Sequence, residues 1–269
     1  METLSWIQVF VLALLQGITE FLPISSSAHL LLPNMLLGWR DQGLAFDVAV
    51  HFGTLLAVIW LFRREVVAMT RSSCRVLAGS PPDESSHLFM YLVVATLPLV
   101  LIGAPMSSII DVVRTPEIVA ITTIVFGLLL WFADAKCKSD SPGVELCWSI
   151  VLVVGFAQVL ALVPGTSRSG ITMTAALFMG MTRVGAARFS FMLAMPAIAA
   201  SAVHQIMALF SAGEIIEWGK ILVASIVAAL VAFATMRLLL AWLERAGFLP
   251  FVIYRLLLGG VLAVLLVVQ

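Results

Sequence analysis

Apolar runs long enough to cross a bilayer recur along this chain near residues 45 to 62, 88 to 106, 117 to 133, 186 to 210, 218 to 240 and 249 to 268. About 20 such residues are needed for one helical crossing, so the pattern predicts six transmembrane helices. In lipid every backbone polar group must be satisfied within the protein, which leaves helices as the spanning element for runs of this length. Composition agrees: 62% of the 269 residues are hydrophobic and only 11% are charged. Mean hydropathy is +1.11. A chain this apolar is expected to be an all-α integral membrane protein, with no room left for a water-soluble domain.

Two further apolar stretches, roughly 4 to 37 and 148 to 182, are each interrupted by a proline followed by Ser, Thr or Gly. Proline removes a backbone donor and disfavours helix just before it, so each stretch is expected to form two half-helices around a turn. Irregular backbone at membrane depth survives only inside protein or beside a water-filled cavity, so both stretches are read as re-entrant helical hairpins. The segments GITEFLPISSSAHL and QVLALVPGTSRSGI align on Pro23 and Pro164, an offset of 164 − 23 = 141. Each hairpin precedes three spans, so the second unit must run inverted relative to the first. The expectation is one membrane domain of two inverted-topology repeats, about 1–133 and 148–269, with a site near the midplane.

Charge sets the expected orientation. Connections on one side carry Arg63, Arg64, Arg71, Arg75, Lys136, Lys138, Arg237 and Arg245, and those on the other carry Arg40, Arg114 and Lys220. Basic residues favour the cytoplasm, so both termini and the mouth of the first hairpin are expected to face outward. The absence of Lys or Arg from Met1 to Trp39 argues against a cleavable leader. Net charge is zero, which gives no reason to expect nucleic acid as a partner. Cys74, Cys137 and Cys147 match no zinc spacing, fall in cytoplasmic connections and are expected to be free thiols.

The polar residues of the broken stretches carry the chemistry. Gln16 and Glu20 lie four apart on one helical face. A carboxylate at bilayer depth costs roughly 2.5 to 3.5 kcal/mol, so Glu20 needs a cavity or a partner, and an ion pair that only fixes packing is the plainer alternative. After Pro23 come Ser25, Ser26 and Ser27 at the start of a helix, where exposed amides attract phosphate. His29 follows Ser26 by three and Ser25 by four and is expected on their face. In the second hairpin, Gly165, Thr166, Ser167, Ser169 and Gly170 surround Arg168. A guanidinium matches phosphate geometry and at this depth calls for an anion.

Converging turns would bring together helix starts, hydroxyls, an arginine, an imidazole and a carboxylate, an inventory suited to phosphoryl transfer. Simple anion transport needs neither nucleophile nor base. Gln16 and Glu20 offer hard oxygen ligands for Mg²⁺ or Ca²⁺, with phosphate oxygens and water completing the shell. His51 and His204 read as hydrogen-bonded helix residues, His87 as a loop residue, and Trp6, Trp60, Trp131, Trp148 and Trp218 as interfacial belts. Pro196 is expected to kink its span.

QGITEFLPISSSAH, PGTSRSG and a late PFVIYR at Pro250 to Arg255 resemble the undecaprenyl-diphosphate phosphatase family, which is also known for bacitracin resistance. The resemblance covers essentially the whole chain. It implies an enzyme of the bacterial inner membrane that removes the terminal phosphate of undecaprenyl diphosphate, recycling the lipid carrier of cell-wall synthesis. It also implies a divalent cation and a periplasmic active site. Bacitracin would then compete for the substrate rather than bind the protein. The family's acidic motif falls on Gln16 and Glu20, its serine turn on Ser25, Ser26 and Ser27, its histidine on His29 and its arginine on Arg168. Gln16 stands where an acidic residue is common, and Ala28 where glycine is. The nucleophile is open among Ser26, His29 and water. A transporter or flippase for an isoprenoid phosphate is the rival function, and small-residue faces leave room for a homodimer. A different membrane phosphatase signature is echoed by SSAH and SR, but no histidine follows Arg168 at its interval.

Overall fold

The computed structural model describes residues 4–39, 42–113, 115–137, 143–212 and 217–268. Arg40, Arg114 and Lys138 of the orientation argument lie outside them, as does the side chain of His204. The described residues are helical throughout: α1 (Trp6–Thr19), α2 (Ser26–Leu37), α3 (Leu44–Leu61), α4 (Arg63–Leu77), α5 (Glu84–Val112), α6 (Pro116–Lys136), α7 (Trp148–Val159), α8 (Arg168–Phe178), α9 (Arg183–Ala212), α10 (Trp218–Leu243) and α11 (Leu249–Val268). A single 3₁₀ turn, Leu160–Leu162, extends α7.

Six of these helices are long and apolar enough to span: α3, α5, α6, α9, α10 and α11. They fall on the six predicted runs, and the chain is a multi-pass membrane protein. Local chemistry starts several elements where the sequence signals them. Ser5 caps α1 in a reciprocal box with Gln8, and Thr115 with Pro116 opens α6. The two proline-broken stretches form α1 with α2 and α7 with α8, each pair joined by a short turn.

One element went unread in the sequence. The segment after Phe62 is α4, a helix rather than a plain connection, with Arg63, Arg64, Arg71 and Arg75 exposed and Met69 buried. Its charge disqualifies it as a span, and a search for apolar runs passes over amphipathic helices. Pro98 and Pro105 lie inside α5, and Pro196 lies inside α9. Cys74, Cys137 and Cys147 are free.

The core gathers around α8 and α9. In α9, 61% of the apolar window is buried, against 22% in α5 and in α10, so α9 is the enclosed span and the others turn much of their surface to lipid. Phe21 from the first turn meets Phe191 of α9 edge-on, with ring centroids 5.3 Å apart. Each short helix also crosses one long span closely. α1 packs on α10, and α7 packs on α5. A Cβ added at Gly17 would come within 2.7 Å of Val231, and one at Gly155 within 2.8 Å of Ala95, so both crossings depend on the missing side chain.

Candidate functional site

The turns between the half-helices share an unusual backbone. Ser25 has φ 73° and ψ 96°, Ser167 has φ 70° and ψ 111°, and they are the only described non-glycine residues with positive φ. Such conformations are costly for an L side chain and persist where the surroundings over-determine them. Both serines immediately precede a helix. Matching the turns by this backbone gives an offset of 167 − 25 = 142, one more than the proline alignment, and sets Arg168 opposite Ser26.

Their side chains meet at Glu20, which is 7% exposed. Arg168 Nη2 donates to Glu20 Oε1 at 2.8 Å. On Oε2, Ser26 Oγ donates at 3.0 Å and Gln16 Nε2 at 2.9 Å. His51 Nε2 stands 3.7 Å from the same oxygen. Glu20 thus has an ion-pair partner, the arginine of the other turn, and the pair lies on a cavity wall rather than in a closed core. Other groups tie the turns together. Ser169 Oγ donates to Leu22 O at 2.9 Å, and the Gly165 amide donates to Ser27 Oγ at 3.4 Å. Ser25 and Ser27 hydroxyls are 3.1 Å apart, as are Ser167 and Ser169 at 3.2 Å. Ser167 Oγ accepts from the Gly170 amide at 3.1 Å and caps α8.

A cavity of about 250 Å³ opens over this cluster, lined by Glu20, Ser25, Ser26, Ser27, His51, Ser167 and Arg168, with α5, α9 and the 3₁₀ turn forming its apolar walls. Buried side-chain atoms without a hydrogen-bond partner include Arg168 Nη1, Thr166 Oγ1 and Gln16 Oε1. Two of these can donate and one can only accept. A buried polar atom left unpaired costs roughly 1 to 3 kcal/mol, and of these residues Arg168 lines the cavity, so a ligand atom would be favourable there.

His29 is not brought to Ser26. Its Nδ1 donates to the Ser25 carbonyl at 2.7 Å, which leaves Nε2 to accept from the Tyr254 hydroxyl at 2.6 Å. The ring lines a second cavity of about 390 Å³, between α1 and the start of α11, beside Thr19, Phe251 and Tyr254. Ser26 and His29 share the first turn of α2, but the Ser26 hydroxyl turns to Glu20 and the His29 ring to the second cavity. His51 occupies the imidazole position instead. It donates from Nδ1 to the Asp47 carbonyl at 2.7 Å, and its Nε2 faces the site. An ionisable group inside an apolar span was the available signal for His51 and for Arg255, the same signal that singled out Glu20.

For a cation, the cavity offers the Glu20 carboxylate; Gln16 is fully buried behind it, outside the cavity lining, with its Nε2 turned to Glu20 Oε2 and its Oε1 unpartnered. Among the described residues no group of three or more His, Cys, Asp and Glu side chains could hold a metal by itself. An ion held here would have to take most of its shell from phosphate oxygens and water.

Residues 9–261 match the family model described as bacitracin resistance protein BacA. A protein of Chromohalobacter salexigens named undecaprenyl-diphosphatase is 49% identical over 97% of this chain and 99% of its own length. Undecaprenyl-diphosphatase 1 of Pseudoalteromonas translucida is 46% identical over 98% of this chain and 99% of its own. An undecaprenyl-diphosphatase of Alteromonas mediterranea is 48% identical over 95% of this chain and 96% of its own.

Proposed function

The chain belongs to the bacitracin resistance protein BacA family, and from that premise we infer that it hydrolyses undecaprenyl diphosphate to undecaprenyl phosphate and inorganic phosphate. The observation that carries this reading onto particular residues is the Glu20–Arg168 pair on the cavity wall, with Arg168 Nη1 buried and unpartnered. A guanidinium that holds a carboxylate with one arm and has the other free is set to take a phosphate oxygen bidentately or by rotation.

The diphosphate would lie in the cavity with its polyprenyl tail in lipid. Arg168 and the amides at the starts of α2 and α8 neutralise the phosphate oxygens as negative charge shifts in the transition state. Ser26 is the nucleophile the geometry favours, because its hydroxyl already donates to Glu20 Oε2. Attack of Ser26 Oγ on the terminal phosphorus forms a phosphoserine and breaks the bond to the bridging oxygen, which leaves with undecaprenyl phosphate. The Ser26 proton passes to Glu20 and on towards His51 Nε2. Water then attacks the same phosphorus, releases inorganic phosphate and restores the Ser26 hydroxyl. Direct attack by water held at Glu20 would use the same residues. His29, turned to Ser25 and Tyr254, would act by holding the first turn. A divalent cation at Glu20 and Gln16 would supply further charge neutralisation of the phosphates.

The two halves of the chain are read as inverted copies, which the matched turns and the crossings of α1 with α10 and of α7 with α5 support. The cavity reaches from Glu20 towards Ser201 and Gln205 of α9, the end expected to face outward from the charge distribution. That supports an inner-membrane enzyme whose site opens to the periplasm. The transporter reading gives no role to a serine hydroxyl bonded to a buried carboxylate. Phosphate release from undecaprenyl diphosphate by the purified protein, with Mg²⁺, with Ca²⁺ and with chelator, tests all of this. Release that needs both metal and Arg168 supports the assignment, and lipid movement without release would replace it with the transporter.

A further inference from the structure

Arg255, in α11, is 0% exposed, and among the described residues no acidic side chain pairs with it. A buried cation without a counter-ion is expensive and calls for a reason. Backbone carbonyls take the place of the counter-ion. Nε donates to Thr123 O at 3.0 Å, Nη1 to Thr166 O at 3.1 Å and Pro23 O at 3.3 Å, and Nη2 to Gly165 O at 3.0 Å and Thr166 O at 3.1 Å. Arginine has five N–H donors, and these contacts occupy the whole fork, so none is left for a ligand. Arg255 also lies outside the lining of the cavity that holds Arg168.

The carbonyls belong to both turns at once. Pro23 lies just ahead of Ser25, and Gly165 and Thr166 lie just ahead of Ser167. Because the peptide unit is planar and trans, drawing the Thr166 carbonyl to Arg255 turns the Ser167 amide the opposite way. That peptide leads straight into the positive φ of Ser167 and then to Arg168. One rigid fork thus grips the backbone behind the two turns, while Ser26 and Arg168 reach Glu20 in front of them.

We propose that Arg255 is a positioning residue, which sets the separation and orientation of Ser26 and Arg168 by gathering the Pro23, Gly165 and Thr166 carbonyls on one guanidinium. The proposal rests on the phosphatase reading for its kinetic consequence, though not for its structural one. Lysine keeps the charge but is a point cation with three donors, too compact to span both turns.

The test compares wild type, Arg255→Lys and Arg255→Gln in detergent by thermal unfolding, by kcat and KM for phosphate release, and by hydrogen exchange of residues 163–169. Arg255→Lys should fold, keep KM within about threefold and lose about 100-fold in kcat, the scale on which ångström misplacement acts. Exchange across 163–169 should accelerate. Combined with Arg168→Lys, the kcat loss should be no greater than that of the worse single variant, since both act on one turn. A kcat in Arg255→Lys within threefold of wild type, or losses that multiply in the double variant, would overturn the proposal. So would failure of both Arg255 variants to fold, which would make the residue a folding determinant only. A wild type that releases no phosphate defeats the phosphatase reading alone; exchange across 163–169 then decides, and unchanged exchange in Arg255→Lys removes the positioning role as well.

Discussion

The turn around Ser25 and the turn around Ser167 have nearly the same backbone and divide the chemistry between them. In the first, the helix before the turn ends in Glu20 and the helix after it opens with Ser26, a carboxylate beside a hydroxyl. In the second, the helix after the turn opens with Arg168, and Leu162 stands 142 residues from Glu20 where a carboxylate would be. Ser167 caps its helix with its side chain, whereas Ser25 makes no such bond. Even the paired glutamines differ: Gln16 reaches Glu20, and Gln158 reaches the Ala95 carbonyl at 3.2 Å. A strained turn that aims a side chain into a shared cavity is useful twice, but opposite charges are needed to close the site.

The largest way to break the division is Arg168→Ala. It should lower phosphate release by about 10³-fold or more, ~4 kcal/mol of transition-state stabilisation, and Arg168→Lys should recover only part of it. The same change strands Glu20, so unfolding in detergent should show a loss of roughly 3 to 5 kcal/mol that Glu20→Gln in the same chain relieves. Glu20→Gln alone should cost about 10² to 10³ in kcat and weaken cation binding measured by calorimetry. Full activity in either single variant would sink the pairing as the core of the site.

Gly165→Ala sharpens the comparison at the backbone. Gly165 has φ 87°, and an added Cβ would collide with Thr122 Oγ1 and the Val119 carbonyl, so the second turn must shift. A drop of about 100-fold in kcat is expected, read by steady-state kinetics on folded protein.

The two histidines come next. His51→Ala should reduce kcat about 10- to 100-fold as the group facing Glu20 Oε2 is lost, while His29→Ala should act chiefly on stability through Ser25 and Tyr254, by about 1 to 2 kcal/mol. The reverse order in measured kcat would restore His29 as the base. Smallest is the glutamine pair: Gln158→Ala should leave kcat within about twofold and cost ~1 kcal/mol of stability, whereas Gln16→Ala should raise the cation concentration needed for half-maximal activity by about fivefold.

Residue type and spacing made the outline of the fold legible. The six spans and both broken stretches were visible because a bilayer demands length and apolarity, and proline marks a break wherever it stands in such a run. Glu20 and Arg168 stood out because a charge in lipid is expensive. The amphipathic helix α4 was missed because its charged face hides its periodicity from a search for apolar runs. His29 does share the first turn of α2 with Ser26, but spacing does not say which cavity a ring enters, and Tyr254 of α11 holds it at the second one. His51 and Arg255 carry the same signal as Glu20, yet His51 read as a hydrogen-bonded helix residue and Arg255 entered only as the end of PFVIYR, because neither has a polar motif around it to suggest a role.

The sequence by itself determined the solvent, the helical class, the two breaks and the polar residues worth explaining, since each follows from local composition and the cost of burying charge. The tertiary structure alone decided which side chains meet. Glu20 and Arg168 are 148 residues apart and pair at 2.8 Å, and Arg255 binds carbonyls 232 and 89 residues away. Such meetings depend on helix crossings and on two strained backbone positions, which arise from packing the whole bundle.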